Sequence, residues 1–111
     1  MAEFVELQIE AGATFSTEIT VNDATGQALN LSNYLTRSQM RKSYYSTTST
    51  DFTLTVIDAD NGIIKMAMDA PTTANLRAGR YVYDVEIESD DGTISRIFEG
   101  IVTVLPNVTR W

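Results

Sequence analysis

"GRYVYDVEIESDDGTISRIFEGIVTV", residues 79–104, contains two runs of alternating apolar and polar residues that meet at Asp90-Asp91-Gly92. In the first run Tyr81, Tyr83, Val85 and Ile87 share one side, and Val82, Asp84, Glu86 and Glu88 share the other. Successive side chains of a strand point to opposite faces, so this run is a half-buried strand, and Asp-Gly is hairpin-turn chemistry. In the second run Ile94, Phe98, Val102 and Val104 are set on the inner face, with Thr93, Ser95, Ile97, Glu99, Ile101 and Thr103 opposite. Its end is apolar on both sides, which marks an interior strand, and Gly100 predicts a bend.

The same period of two extends outward from the hairpin. Val5, Leu7 and Ile9 alternate with Glu6, Gln8 and Glu10; after Ala11-Gly12, Phe15, Thr17, Ile19 and Val21 alternate with Ser16, Glu18 and Thr20. Residues 22–26 (NDATG) are turn chemistry. Tyr34, Thr36, Ser38 and Met40 share a face opposite Arg37, Gln39 and Arg41, a strand with a weak apolar side, expected at an edge or with a used outer face. Residues 43–51 (SYYSTTSTD) read as a loop long for a compact domain. Phe52, Leu54 and Val56 lead to the Asn61-Gly62 hairpin signal, and Ile64, Met66 and Met68 return. Residues 70–76 predict a short helical turn, with Pro71 early, where a missing N–H costs little. Turns thus recur roughly every 8–12 residues between about seven strands, the pattern of an all-β antiparallel sandwich. Residues 1–111 form a single domain with 107–111 as a C-terminal tail, and Phe15, Phe52, Tyr81, Tyr83 and Phe98 are the expected core anchors.

Composition narrows the chemistry. The 111 residues include neither cysteine nor histidine, which removes disulfides, thiolate metal sites, the commonest zinc ligand and the commonest general base. Fifteen acidic against eight basic residues give a net charge of −7, and no basic stripe offsets the repulsion expected from nucleic acid. The N-terminal MAEFVELQIE lacks the bases and apolar run of a signal peptide, and no stretch of about 18 apolar residues predicts a membrane span. The two glycosylation-type triplets, at Asn30 and Asn107, are read as coincidental without a secretion signal.

No residue pattern supports catalysis, and no cofactor or metal is expected. Residues 58–62 (DADNG) open like a calcium loop but place the glycine one position early, and a hairpin turn accounts for them. Asp84, Glu86 and Glu88 read as a solvated strand face. The unusual feature is a cluster of Arg37, Arg41, Lys42, Tyr44 and Tyr45, types enriched in protein interfaces. It fits a contact surface for another protein, and equally a charged edge strand protected against pairing. Trp111 at the tail is a second contact candidate, since docking would bury its indole.

Two stretches carry a resemblance. "IEAGATFSTEITVNDATGQALNLSNY" (residues 9–34) and "VIDADNGIIKMAMDAPTTANLRAGRYVYDVEIESDDGTISRIFEGIVTVLPNVTR" (residues 56–110) resemble a family of small immunoglobulin-like structural proteins of tailed bacteriophages. Its marks are the Asp23…Gly26 turn, the Leu29–Tyr34 corner, Leu76-x-x-Gly79-x-Tyr81-x-Tyr83-Asp84, and the Gly100-x-Val102-x-Val104 close. A similar order of elements occurs in the N-terminal domain of siphophage upper baseplate proteins; residues 37–50 depart from it. The resemblance implies a non-enzymatic virion component, made in the host cytoplasm, present in many symmetric copies and bound to other virion proteins in the tail, baseplate or fibre-attachment region. The alternatives are a decoration protein on the major capsid protein and, of another class, a carbohydrate- or host-binding module using Tyr44 and Tyr45.

Overall fold

The computed structural model of the chain describes residues 2–109. Among them are nine strands and one short helix: β1 (Glu3–Phe4), β2 (Leu7–Glu10), β3 (Phe15–Thr20), β4 (Leu35–Arg41), β5 (Thr50–Asp51), β6 (Thr53–Asp58), β7 (Ile63–Met68), α1 (Ala70–Ala74), β8 (Gly79–Glu88) and β9 (Ile94–Leu105). The larger sheet runs β1-β9-β8-β4-β5, with β2 also on β9; the smaller runs β3-β7-β6. In immunoglobulin letters these are the C-F-G sheet with a short C′ and the B-E-D sheet. Trp111 lies outside the described residues.

The two sheets face each other across the predicted inner rows. Ile9, Met40, Val85, Val102 and Val104 from the larger sheet and Ile64, Met66 and Met68 from the smaller are essentially inaccessible. Phe52, Tyr83 and Phe98 are buried as expected, whereas Phe15 and Tyr81 are only partly covered. Phe52 sits between Phe15 and Tyr83, with ring centroids 5.9 and 6.2 Å away and tilted or edge-on geometry. It is also where the chain leaves the larger sheet for the smaller: β5 ends at Asp51 and β6 begins at Thr53. The Phe52 N–H is held by the Ser38 carbonyl at 3.0 Å.

Four expectations are corrected. Strand number rises from about seven to nine because the N-terminal run is split in two and because Thr50 and Asp51, assigned to a loop, pair with Met40 and Gln39 as β5. The sandwich is not wholly antiparallel: β1 and β2 run parallel to β9. The irregularity in β9 lies at Ile97, not Gly100. Val85 faces Phe98 and Glu86 faces Arg96, so Ile97 is an extra residue that reverses the alternation and turns Ile94 outward. Gly100 has another task, because a Cβ there would lie 2.1 Å from the Val5 carbonyl oxygen. That close approach lets the chain kink between β1 and β2, with the Val5 N–H bonded to the Glu99 carbonyl (2.9 Å) and the Val5 carbonyl accepting from the Tyr83 hydroxyl (2.7 Å).

The turns follow their sequence signals. Asp58 accepts from the Asn61 main chain and side chain at the Asn-Gly hairpin. Asp91 accepts from the Ser89 hydroxyl and Thr93 N–H at the β8–β9 turn. Asp69 caps α1 through the Thr72 N–H, with Pro71 in the first turn. The fully buried Thr73 hydroxyl accepts from Gly12 N–H (3.1 Å) and reaches the Ala13 carbonyl (2.8 Å), locking α1 to the β2–β3 corner. The Tyr81 hydroxyl donates to the Arg77 carbonyl (2.6 Å), the tyrosine corner of this fold type.

Two outcomes are expected. Thr73→Val strands the Gly12 N–H and lowers unfolding stability by roughly 1–3 kcal/mol in urea titration. Burial, reinforced by the Glu3 carboxylate, pushes the Tyr83 phenol up to about 12 from its ordinary 10.0. The folded state therefore holds this proton more tightly, and the contribution is complete below pH 10 and lost as pH climbs towards 12. Tyr83→Phe removes that dependence, so the stability difference between wild type and variant should change across this window and be flat below it.

Candidate functional site

The outer face of the larger sheet collects three of the predicted contact residues. Strand register sets four rows across β4, β8 and β9: Leu35–Glu88–Ile94, Arg37–Glu86–Arg96, Gln39–Asp84–Glu99 and Arg41–Val82–Ile101. Arg37 contacts Glu88, and Arg96 contacts both Asp84 and Glu99, each at 3.4 Å. All these groups are solvated, so each pair contributes at most about 1 kcal/mol. Their effect is to neutralise the face locally on a chain of net charge −7. Asp84, Glu86 and Glu88 occupy the solvated face expected of them.

A shallow depression of about 300 Å³ lies on this face, with Gln39, Arg41 and Tyr44 along one wall and Asp84, Arg96 and Glu99 along the floor and far side. Arg41 shapes that wall. Its guanidinium donates to the Ser46 carbonyl (2.8 Å) and to Gln39 Oε1 (3.2 Å). The same loop is closed by Ser46 N–H to the Ser43 carbonyl and by Ser43 N–H to Ser46 Oγ, both 3.1 Å. The β4–β5 loop is thus a hydrogen-bonded turn that presents Tyr44 and Tyr45, whose exposures are 72% and 94%.

The predicted cluster is therefore divided. Arg37, Arg41 and Tyr44 share the outer face; Tyr45 projects from the loop tip without lining the depression. Lys42 follows Arg41 and so points the other way, its Nζ 4.9 Å from the centroid of the Tyr81 ring. There it covers the tyrosine corner by a cation–π contact rather than serving the face. Sequence reading missed Arg96, which pairs with two carboxylates, and the exposed apolar pair Leu35 and Ile94 flanking Glu88. The bulge at Ile97 accounts for Arg96 and Ile94, since the residues before it alternate out of phase with those after it.

No protein-family model and no curated protein sequence matches the chain. Among solved structures, the N-terminal domain of phage TP901-1 ORF48 is similar at 13% identity and TM-score 0.54, over 93% of this chain and 97% of that one. CopC from Methylosinus trichosporium OB3b aligns over 95% of this chain and 90% of its own, at 16% identity and TM-score 0.49. The first likeness establishes a shared fold across the whole domain.

Tyr45→Ala should leave unfolding stability within about 0.5 kcal/mol of wild type, as expected for a side chain that touches little. Arg41→Ala should instead speed amide exchange at Ser43 and Ser46 while leaving the β8–β9 amides unchanged, read by hydrogen-exchange NMR.

Proposed function

We propose that this chain is a non-enzymatic structural component of a tailed-bacteriophage particle that binds other virion proteins through its sandwich surfaces, in the tail, baseplate or fibre-attachment region. The observation that carries this reading is the whole-domain likeness to the phage TP901-1 ORF48 N-terminal domain, with nearly all of both chains aligned. The motif resemblance over residues 9–34 and 56–110 points the same way. The character of the surface adds support. Most of its charges are paired with one another on a broad, solvated face, and the depression there is shallow. Such a face suits contact with a large neighbour better than enclosure of a small substrate. Binding in many copies would multiply modest individual contacts, since each further contact forms at high effective concentration.

Copy counting by mass spectrometry on purified particles, with an image locating the chain, tests this. Copies in small multiples of three or six at the tail end are expected. Hundreds of copies over the head would make it a decoration protein instead. Absence from the particle, with sugar binding lost on the double change Tyr44→Ala and Tyr45→Ala, would make it a glycan-binding module.

A further inference from the structure

The side of the sandwich formed by β1, β2 and β3 differs from the opposite side. On the β5/β6 side the chain itself crosses between sheets at Phe52, and β6 is broken by an extra residue at Ile57. On the other side β1 and β2 are joined to β9, so among the described residues β3 has β7 on one edge and no strand on the other. The Val21 N–H donates to the Gly62 carbonyl (2.8 Å), continuing the β3–β7 ladder. Hydrogen-bonded pairs alternate along an antiparallel ladder, so Phe15, Thr17 and Ile19 direct their main chain towards β7. Ser16, Glu18 and Thr20 direct theirs to the free edge. The strand is six residues long, with neither proline nor bulge to blunt it.

Two further features describe what this edge lacks. Phe15, Thr17 and Ile19 point inward yet remain half-buried, while Ile64, Met66 and Met68 on β7 are fully covered. The shortfall is on the side where no strand lies. Beside the Thr20 end, between β3 and the β1–β9 pair, a cleft of about 480 Å³ is lined by Glu3, Thr20, Asp23, Arg96 and Phe98 among others. The charge on this side is mostly acidic. Residues 1–36 contain Glu3, Glu6, Glu10, Glu18 and Asp23 and no lysine or arginine. Two bases adjoin these acids: Lys65, across the ladder from Glu18, and Arg96, which lines the cleft and is engaged with Asp84 and Glu99.

The geometry points to β3 as an acceptor edge for an extended segment of a neighbouring virion protein, with apolar residues alternating with lysine or arginine. The segment adds as a fourth strand to the smaller sheet. Its main chain pairs with Ser16, Glu18 and Thr20, its apolar residues cover Phe15, Thr17 and Ile19, and its bases face Glu18 and the acidic wall. A second copy of this chain fits poorly, because it brings the same acidic wall to the contact. The inference rests on the proposed virion role and assigns the surface that such a role would use.

The test is hydrogen-exchange NMR on the full chain with a short capped peptide alternating valine and lysine, against a valine–glutamate counterpart. Slowed exchange confined to Ser16, Glu18 and Thr20 is expected with the lysine peptide, weakening as salt rises, and no effect with the glutamate peptide. Glu18→Pro removes only an outward N–H, so the fold should survive, checked by circular dichroism, and binding should vanish. Glu18→Lys keeps the donor and should shift preference towards the glutamate peptide. Equal binding of both peptides, protection elsewhere, or none would overturn the proposal. So would self-association in sedimentation that Glu18→Pro abolishes, which would assign the edge to a second copy. Since particle composition is measured separately, a chain found in the tail whose β3 ignores the peptide would refute this inference alone.

Discussion

Gly100 lacks the side chain that would otherwise collide with the Val5 carbonyl, and the arrangement of the molecule follows from that gap. With the gap, the N-terminal run can kink against β9, place its two short halves in parallel register and accept the Tyr83 hydroxyl across the glycine. Without it, the run would be forced off the larger sheet. In the constant-type immunoglobulin arrangement the first strand lies beside the second, in the sheet that corresponds to β3-β7-β6 here. Here it is committed to the larger one, and β3 is left with a free edge. A single backbone approach in the core of the hairpin thus decides which edge of the sandwich faces the outside world.

Much of the fold was legible because one face of most strands is buried, which makes the alternating pattern unambiguous. Residues 79–88, 53–58 and 63–68 fold as their alternation predicts, and the Asn61-Gly62 and Asp91-Gly92 turns join them as expected. What was not legible has physical causes. A period of two reports which face is buried but not which neighbour a strand takes or in which direction, so the parallel pairing of β1 and β2 left no trace. A single extra residue at Ile97 reverses every face assignment before it, so Ile94 and Arg96 could not be placed by alternation from Phe98. The two-residue β5 is too short to carry a pattern at all.

The candidate face shows the same limits in its chemistry. Arg37, Arg41, Lys42, Tyr44 and Tyr45 are close in sequence, but the strand alternation that puts Arg37 and Arg41 outward must send Lys42 the other way, onto Tyr81. Sequence proximity created the patch; register dissolves part of it and substitutes Arg96, brought from nearly sixty residues away by β9. The resulting face sets three bases against four acids, and its ion pairs are too solvated to add much to folding. They are better understood as fixing side-chain positions on a surface that would otherwise be a field of repelling carboxylates.

The two exposed surfaces therefore differ in kind. The outer face of β4, β8 and β9 has its charges largely offset from within, and its central strand β8 is paired on both sides, while β4 is paired on its far side by β5 only at Gln39 and Met40. The β3 edge offers main-chain donors and acceptors, an incompletely covered apolar row and a predominantly acidic surround. An open edge is ordinarily a hazard, because any extended chain can pair with it. Glu18 in mid-strand limits that hazard by repelling other acidic chains, copies of this one included. The same carboxylate leaves the edge usable by a segment that brings the opposite charge, so protection against indiscriminate pairing and selection of a partner arise from one side chain.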